Sequence, residues 1–296
     1  MPDMLLEVKD LNVTFISKTK GAAPLQAVRG ISFALEKGQI LGIVGESGSG
    51  KSVSAMAIPR LLPKTAKVDG DITFLGKKIG IVFQEPGRVY DPLQKISSAF
   101  LETFRVDEPG ISESESLEKA IALLNECGLQ NAADRIGGFP HAFSGGELQR
   151  ISIALSLAQN PELLIADEPT TALNVTLQAK IVTLLKELSQ KRKIAVMFIS
   201  HDIHLIASIS DTILVMYAGL VMERGKTADV LHAARHPYTK ALLASMPEFG
   251  KSYKTTRLAA IPGTPCDPHS PEPGCPFAPR CPERKSACTD AGYSCC

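Results

Sequence analysis

The sequence predicts an α/β fold built on a parallel sheet, followed by a small irregular appendage rich in cysteine and proline. Three observations predict it. Short apolar runs alternate with helical stretches, one of those runs leads straight into a glycine-rich loop, and all but one of the 7 cysteines lie from Cys266 onward. Strands alternating with helices at this rhythm belong to α/β sheets. The chain has 296 residues, 44% of them hydrophobic, enough for one large domain or one domain with an appendage.

Residues 5–35 read as β-rich. Leu11, Val13 and Phe15 alternate with Asn12 and Thr14, and Ile31, Phe33 and Leu35 alternate with Ser32 and Ala34. The polar stretch Ser17 to Ala23 is expected to be the loop between them. After the turn at Lys37-Gly38, Ile40 to Val44 is a continuous apolar run, as a buried parallel strand should be. Two more strands are expected at Asp71 to Leu75 and Ile79 to Phe83. A helix follows over Leu117 to Leu129, with Leu117, Ile121, Leu124 and Cys127 on or near one face. Glu147 to Ala158 is a second helix, stopped by Asn160-Pro161. Leu163 to Ala166 is a buried strand, Gln178 to Leu188 a helix with Ile181, Leu184, Leu185 and Leu188 inward, and Ile194 to Ile199 another apolar strand. Composition shifts after about Tyr238, and from Ile261 to Cys296 no period is visible. The boundaries read as 1–238 for the main domain, its helical part at about 92–160, and 239–296 for the extension.

Charge excludes some classes. There are 32 basic and 31 acidic side chains, without the basic excess of a general nucleic-acid binder, so no nucleic-acid partner is expected. No apolar run reaches the roughly 18 residues of a membrane-spanning helix. Met1 to Asp10 contains Asp3, Glu7 and Asp10 and lacks the apolar centre of a secretion signal. A cytoplasmic location with reduced thiols is therefore expected.

Three motifs carry chemistry. Gly45-Glu46-Ser47-Gly48-Ser49-Gly50-Lys51-Ser52 fits a phosphate-binding loop. Its glycines let backbone N–H groups curl around phosphates, the following helix offers its N-terminus, Lys51 neutralises charge and the Ser52 hydroxyl holds Mg²⁺. A chance match in a chain of this length is roughly one in a hundred. The apolar strand Leu163 to Ala166 ends in Asp167, placed to bind Mg²⁺ through water, and Glu168, placed to polarise the attacking water. Alone, two acids after a strand are more often a helix-start charge pair; the loop at 45–52 reverses those odds. Phe143-Ser144-Gly145-Gly146-Glu147 opens a helix, with Ser144 as N-cap and two glycines clearing the backbone for an anion. In isolation a well-capped helix is the commoner reading.

In this order the motifs resemble the P-loop ATPase domain of ABC transporters. The resemblance implies a β-rich nucleotide-binding subdomain, a parallel-sheet core and an inserted helical subdomain, with ATP and Mg²⁺ bound by Gly45 to Ser52, Asp167 and Gln84. It makes Phe15 the aromatic that stacks on adenine and Ser144, Gly145, Gly146 and Glu147 the signature that meets the partner's ATP. Gln84 matches the Q-loop glutamine, Thr171-Ala172-Leu173-Asn174 the D-loop and His201 the switch histidine, with Glu168, His201 and Gln84 catalytic. Asn174 stands where aspartate is usual and Glu147 where glutamine is.

The finer resemblance is to the dipeptide, oligopeptide and nickel importers, on Phe139 to Ser144, Arg235-His236-Pro237-Tyr238-Thr239, Ile261-Pro262-Gly263 and the tail Gly274 to Pro282 with Cys288. It implies import of peptides or nickel at the cytoplasmic face of the membrane, as a peripheral subunit. The implied partners are a second ABC ATPase subunit, two permease subunits and an extracytoplasmic solute-binding protein. The other reading is a soluble ABC ATPase outside transport. Resemblance also implies a [4Fe–4S] cluster on Cys275, Cys281, Cys288 and Cys295, with Cys296 an alternative fourth ligand and Cys266 spare. Four thiolates are what a cubane needs, whereas structural zinc prefers tight Cys-x2-Cys pairs. Cluster, zinc and unliganded or redox thiols stay open on spacing alone.

Overall fold

The computed structural model describes residues 3–17, 23–171, 173–245, 260–267, 269 and 273–290. In chain order the strands and helices are β1 (Met4–Phe15), β2 (Leu25–Glu36), β3 (Ile40–Val44), α1 (Lys51–Ala57), β4 (Ala66–Phe74), β5 (Ile79–Val82), α2 (Ile96–Asp107), α3 (Glu113–Glu126), α4 (Ala132–Arg135) and α5 (Gly145–Leu157). Then come β6 (Leu163–Asp167), α6 (Val175–Arg192), β7 (Ala195–Ser200), α7 (Ile203–Ile209), β8 (Thr212–Tyr217), β9 (Leu220–Lys226), α8 (Thr227–His232) and α9 (Pro237–Ser245). Two compact units contain them. One takes the described residues within Met1–Glu36, Ile40–Leu75 and Phe198–Cys296, the other Lys37–Gln39 and those within Gly76–Met197.

In the first unit, β1 is the middle strand of an antiparallel sheet ordered β2-β1-β4. Its inward set changes parity along the strand: Leu6 and Val8 are buried before Asp10, Leu11 and Val13 after it. The cause is a bulge, with pairing shifted on both sides of β1 and Asp10 left-handed at φ 48. One inserted residue exchanges the two faces, so the strand stays on the core. β3 pairs in parallel with β8, from Leu41 opposite Thr212 to Val44 opposite Val215. All five residues of β3 are buried, as a run without alternation requires. β8 turns through Ala218 and Gly219, both at positive φ, into antiparallel β9, the turn geometry that matches strand twist.

In the second unit, β5 and β6 pair in parallel from Ile79 opposite Leu163 to Val82 opposite Ala166. Glu162 sets the entry to β5, its carboxylate accepting the N–H groups of Lys77 (3.2 Å) and Lys78 (2.9 Å). Helices α2 to α6 belong to the same unit. The expected face of the 117–129 helix holds at Leu124 and Cys127 and is displaced by one residue in its first half. Ser112 caps it one turn earlier, and Ser116, Ala120, Leu124 and Cys127 are buried while Leu117 is 38% exposed. The helix expected at 178–188 runs from Val175 to Arg192, because the Asn174 side chain caps it and Lys193 ends it in a left-handed conformation. Its inward residues Ile181, Leu184, Leu185 and Leu188 are buried as expected. Among the described residues no helix is long and apolar enough to cross a membrane.

Candidate functional site

The phosphate loop leaves the buried end of β3 and enters α1. Gly50 is the N-cap, left-handed at φ 95, and no side chain caps the helix. A Cβ at Gly50 would overlap the carbonyl oxygen of Ala27, so both space and backbone demand glycine. Lys51 is buried, and its ammonium donates to the carbonyls of Gly45 (2.8 Å) and Glu46 (3.0 Å), folded back across the loop it belongs to. Ser52, half-buried, is the second residue of α1. Ser49 Oγ is buried with no hydrogen-bond partner among the described residues. A cation over a glycine-rich bend, a helix start without a capping side chain and a partnerless hydroxyl together suit a polyphosphate.

Glu46 ties that loop to Tyr238 and Arg280. Its N–H donates to the Tyr238 hydroxyl (3.0 Å) and its carboxylate receives the Arg280 guanidinium, Nη1 to Oε2 at 2.7 Å and Nη2 to Oε1 at 3.1 Å. Tyr217, Tyr238 and Phe277 cluster beside this pair, with ring centroids 4.7 to 5.5 Å apart. Burial drives the Tyr238 phenol well above its ordinary pKa, so it remains a neutral hydroxyl. The motifs around Tyr238 and Arg280 are visible in the sequence, but nothing in it ties them to Glu46.

Other expected residues of this unit stand separately. Phe15 ends β1, half-buried and paired with Leu25 and Ala66. His201 is exposed just after β7, followed by Asp202, whose carboxylate caps α7 by accepting from His204 N (2.8 Å) and Leu205 N (3.2 Å).

In the second unit, Asp167 is the buried last residue of β6 and Glu168 follows half-buried. Glu168 has φ 45, a conformation that costs a non-glycine residue energy and clusters at functional sites. Thr171 Oγ1 donates to its carboxylate at 2.7 Å. Ala172 of the expected D-loop lies outside the described residues. Gln84 is exposed two residues beyond β5.

The signature helix α5 begins with a complete capping box. Ser144 Oγ accepts from Glu147 N (3.4 Å) and Ser144 N donates to the Glu147 carboxylate (2.8 Å). Arg135 from α4 pairs with the same carboxylate and lies over the Phe143 ring, 4.6 Å from its centroid. Arg135 first, helped by the Ser144 amide and hydroxyl and opposed by partial burial, lowers the Glu147 pKa from 4.5 to about 2. Gly145 is exposed and Gly146 packs against Leu177 of α6. Arg135 is a residue the sequence reading does not contain.

Among the described residues no group of three or more His, Cys, Asp or Glu side chains could hold a metal ion. Cys275 and Cys288 are buried and Cys281 half-buried. Cys275 Sγ lies 3.8 Å from His236 Nε2, and Cys288 Sγ accepts from Lys285 N at 3.4 Å. Burial raises the Cys281 thiol pKa, with a contribution from both neighbouring cysteines. Of the expected ligand set, Cys275, Cys281 and Cys288 are among the described residues without forming such a group there, and Cys295 and Cys296 lie outside them. Cys127 is buried at the end of α3, its thiol pushed up to about 12 by desolvation, an inert position.

A phosphate loop of this form and an acidic strand end define a P-loop nucleoside triphosphatase. Residues 28–171 match the ABC transporter family, and residues 222–288 match the oligopeptide/dipeptide transporter C-terminal region. The oligopeptide transport ATP-binding protein OppD of Bacillus subtilis (strain 168) is 44% identical over 93% of this chain and 81% of its own length. The dipeptide transport ATP-binding protein DppD of Escherichia coli (strain K12) is 40% identical over 96% of this chain and 90% of its own. Among solved structures, a dimeric ATP-binding cassette in a post-hydrolysis state bound to ADP and Pi matches at TM-score 0.66 and 26% identity. It covers 75% of this chain and 99% of that one. The chain belongs to the ATP-binding subunits of ABC transporters, with the C-terminal region of the oligopeptide/dipeptide group, and it is an ATPase.

Proposed function

We propose that the chain is the ATP-hydrolysing subunit of an importer for di- or oligopeptides, working at the cytoplasmic face of the membrane. The observation that carries this reading is the match of residues 222–288 to the oligopeptide/dipeptide transporter C-terminal region. Both relatives above are named for peptide transport, which favours peptides over nickel and a transporter over a soluble ATPase. The implied assembly adds a second ATPase subunit, two permeases and a solute-binding protein. The functional division stays at 1–238 for the ATPase domain and 239–296 for the extension.

Roles follow the motifs residue by residue. Lys51 and the loop from Gly45 hold the phosphates of ATP, Ser52 and Asp167 hold Mg²⁺, and Phe15 stacks on adenine. Glu168 polarises water, His201 positions the γ-phosphate, Gln84 links the metal to the permeases, and Ser144 to Glu147 meet the ATP of the partner subunit. Catalysis of this kind is positioning and charge neutralisation. The left-handed backbone at Glu168 and the buried Lys51 support the assignment. Glu168→Gln is expected to trap MgATP and abolish turnover; unchanged hydrolysis would sink the role given to Glu168. Deleting the gene should end growth on a peptide as sole source of a required amino acid while leaving growth on the free amino acid intact. A deletion strain that still grows on the peptide contradicts the cargo.

A further inference from the structure

The sequence separates Glu46 from Arg280 by most of the chain, yet the two side chains meet as a bidentate ion pair inside the first unit. The Arg280 side chain is 5% exposed. A guanidinium has five N–H donors, and all five are used. Nε donates to the Pro262 carbonyl (2.8 Å), Nη1 to Glu46 and to the Tyr217 hydroxyl (3.1 Å), and Nη2 to Glu46 and to the Ile261 carbonyl (3.2 Å). Its stem runs past Gly263, where a Cβ would sit 3.1 Å from Arg280 Cγ. A site this saturated holds the side chain in one orientation.

Glu46 also touches the nucleotide machinery from its other side, since its carbonyl accepts from Lys51 Nζ. One residue thus joins the phosphate lysine to the C-terminal region. Its carboxylate is a negative charge in a loop whose ligand is a polyphosphate, and like charges at such range disfavour binding unless one is neutralised.

We propose that Arg280 is a positioning residue for ATP: through Glu46 it neutralises and orients the phosphate loop, so that the C-terminal region sets the nucleotide affinity of this subunit. The proposal rests on the phosphate loop being the ATP site. It gives the C-terminal region a part in ATP binding as well as in marking the subfamily.

The test is a titration of the full-length chain with MgATP, and binding by the unaltered chain is measured first. Its absence would overturn the phosphate-loop assignment itself, a different failure from the one below. Arg280→Met should weaken MgATP affinity roughly tenfold or more, leaving Glu46 charged and unpaired. Arg280→Met combined with Glu46→Gln should regain most of that affinity, because the phosphate loop then carries no unpaired carboxylate. Arg280→Lys should stay weak, since an ammonium has three donors and no fork. Lys240→Ala removes the exposed Lys240–Glu283 pair of the same region and should bind as the unaltered chain does. In steady state the Arg280→Met defect should appear in KM and leave kcat in place. Unchanged affinity in folded Arg280→Met, or a double variant no better than the single one, overturns the proposal. If Arg280→Met does not fold, Arg280→Gln carries the test. It removes the charge and the fork while keeping a polar donor beside the Pro262 and Ile261 carbonyls, and should weaken MgATP several-fold; unchanged affinity there also overturns the proposal.

Discussion

Two glycine-bearing helix starts in this protein, those of α1 and α5, are built in opposite ways. At α1 the cap is Gly50, no side chain closes the helix, and the loop before it is anchored by Tyr238 and Arg280, far along the chain. At α5 the cap is Ser144, and everything that fixes it lies within twelve residues: Glu147 three positions on and Arg135 on the helix before. A side-chain cap occupies the amide groups that a ligand would use. The loop before α1 leaves them without a side-chain cap and takes its rigidity from elsewhere, while the start of α5 is held by its own capping box.

The sharpest way to break that contrast is to give α1 a side chain. Gly50→Ala places a Cβ against the Ala27 carbonyl at φ 95. It should abolish measurable MgATP binding and cost about 1–3 kcal/mol of stability, the range for a residue forced into a sparsely allowed conformation. Urea unfolding and ATP titration of the same sample check both. A variant that binds normally would show that the loop tolerates a rebuilt backbone.

The same contrast explains what could be read from sequence. The Ser144 N-cap, the Lys51 loop and the acidic end of β6 are each local features of a few residues, so the sequence exposes them. The strand alternation in β1 and β2 and the apolar runs of β3, β6 and β7 were legible for the same reason. The Glu46–Arg280 pair was not, because no local pattern marks a contact across 234 positions. Nor was the bulge at Asp10, which leaves a normal-looking alternation on each side. The first half of the α3 face was misread by one residue because Ser116, a polar side chain, is buried one position before Leu117, while Leu124 and Cys127 are buried as read. The elements between 203 and 245 are short, with helices of six to nine residues, too few turns for a period to declare itself. The cysteine tail was legible as a cluster of thiols but not as a ligand set, since spacing alone left cluster, zinc and free thiols open and Cys295 and Cys296 lie outside the described residues.

At α5 the effects should be smaller and local. Ser144→Ala removes the oxygen that accepts Glu147 N–H and should cost about 1 kcal/mol, read by thermal or urea unfolding. A loss well above that would mean the signature depends on distant contacts, as the phosphate loop does.

Arg135→Met tests the pair beside it through pH. Glu147 is held near 2 in the folded chain against an ordinary 4.5. A carboxylate with a depressed folded pKa contributes stability that is fully present above about 4.5 and is lost as pH falls toward 2. Both side chains are about a third exposed, so the neutral-pH difference between Arg135→Met and the unaltered chain should be at most about 1 kcal/mol. It should shrink across that acid window. A difference that stays constant down to pH 2 would show that Arg135 acts by packing on Phe143 rather than by charge.

The smallest effect is expected at Asn174, where the family usually has aspartate. Its Oδ1 accepts Leu177 N–H at 3.0 Å, making it the N-cap of the longest helix, α6. That gives the residue a structural task that asparagine and aspartate perform about equally well. Asn174→Asp should therefore change stability by only a few tenths of a kcal/mol, in the favourable direction, because a negative charge complements the helix N-terminus. Asn174→Ala should lose about 1 kcal/mol. A turnover change in Asn174→Asp with its unfolding midpoint unmoved would separate a role in the ATPase cycle from the cap. Paired losses of stability and turnover in Asn174→Ala alone would assign the residue to the helix.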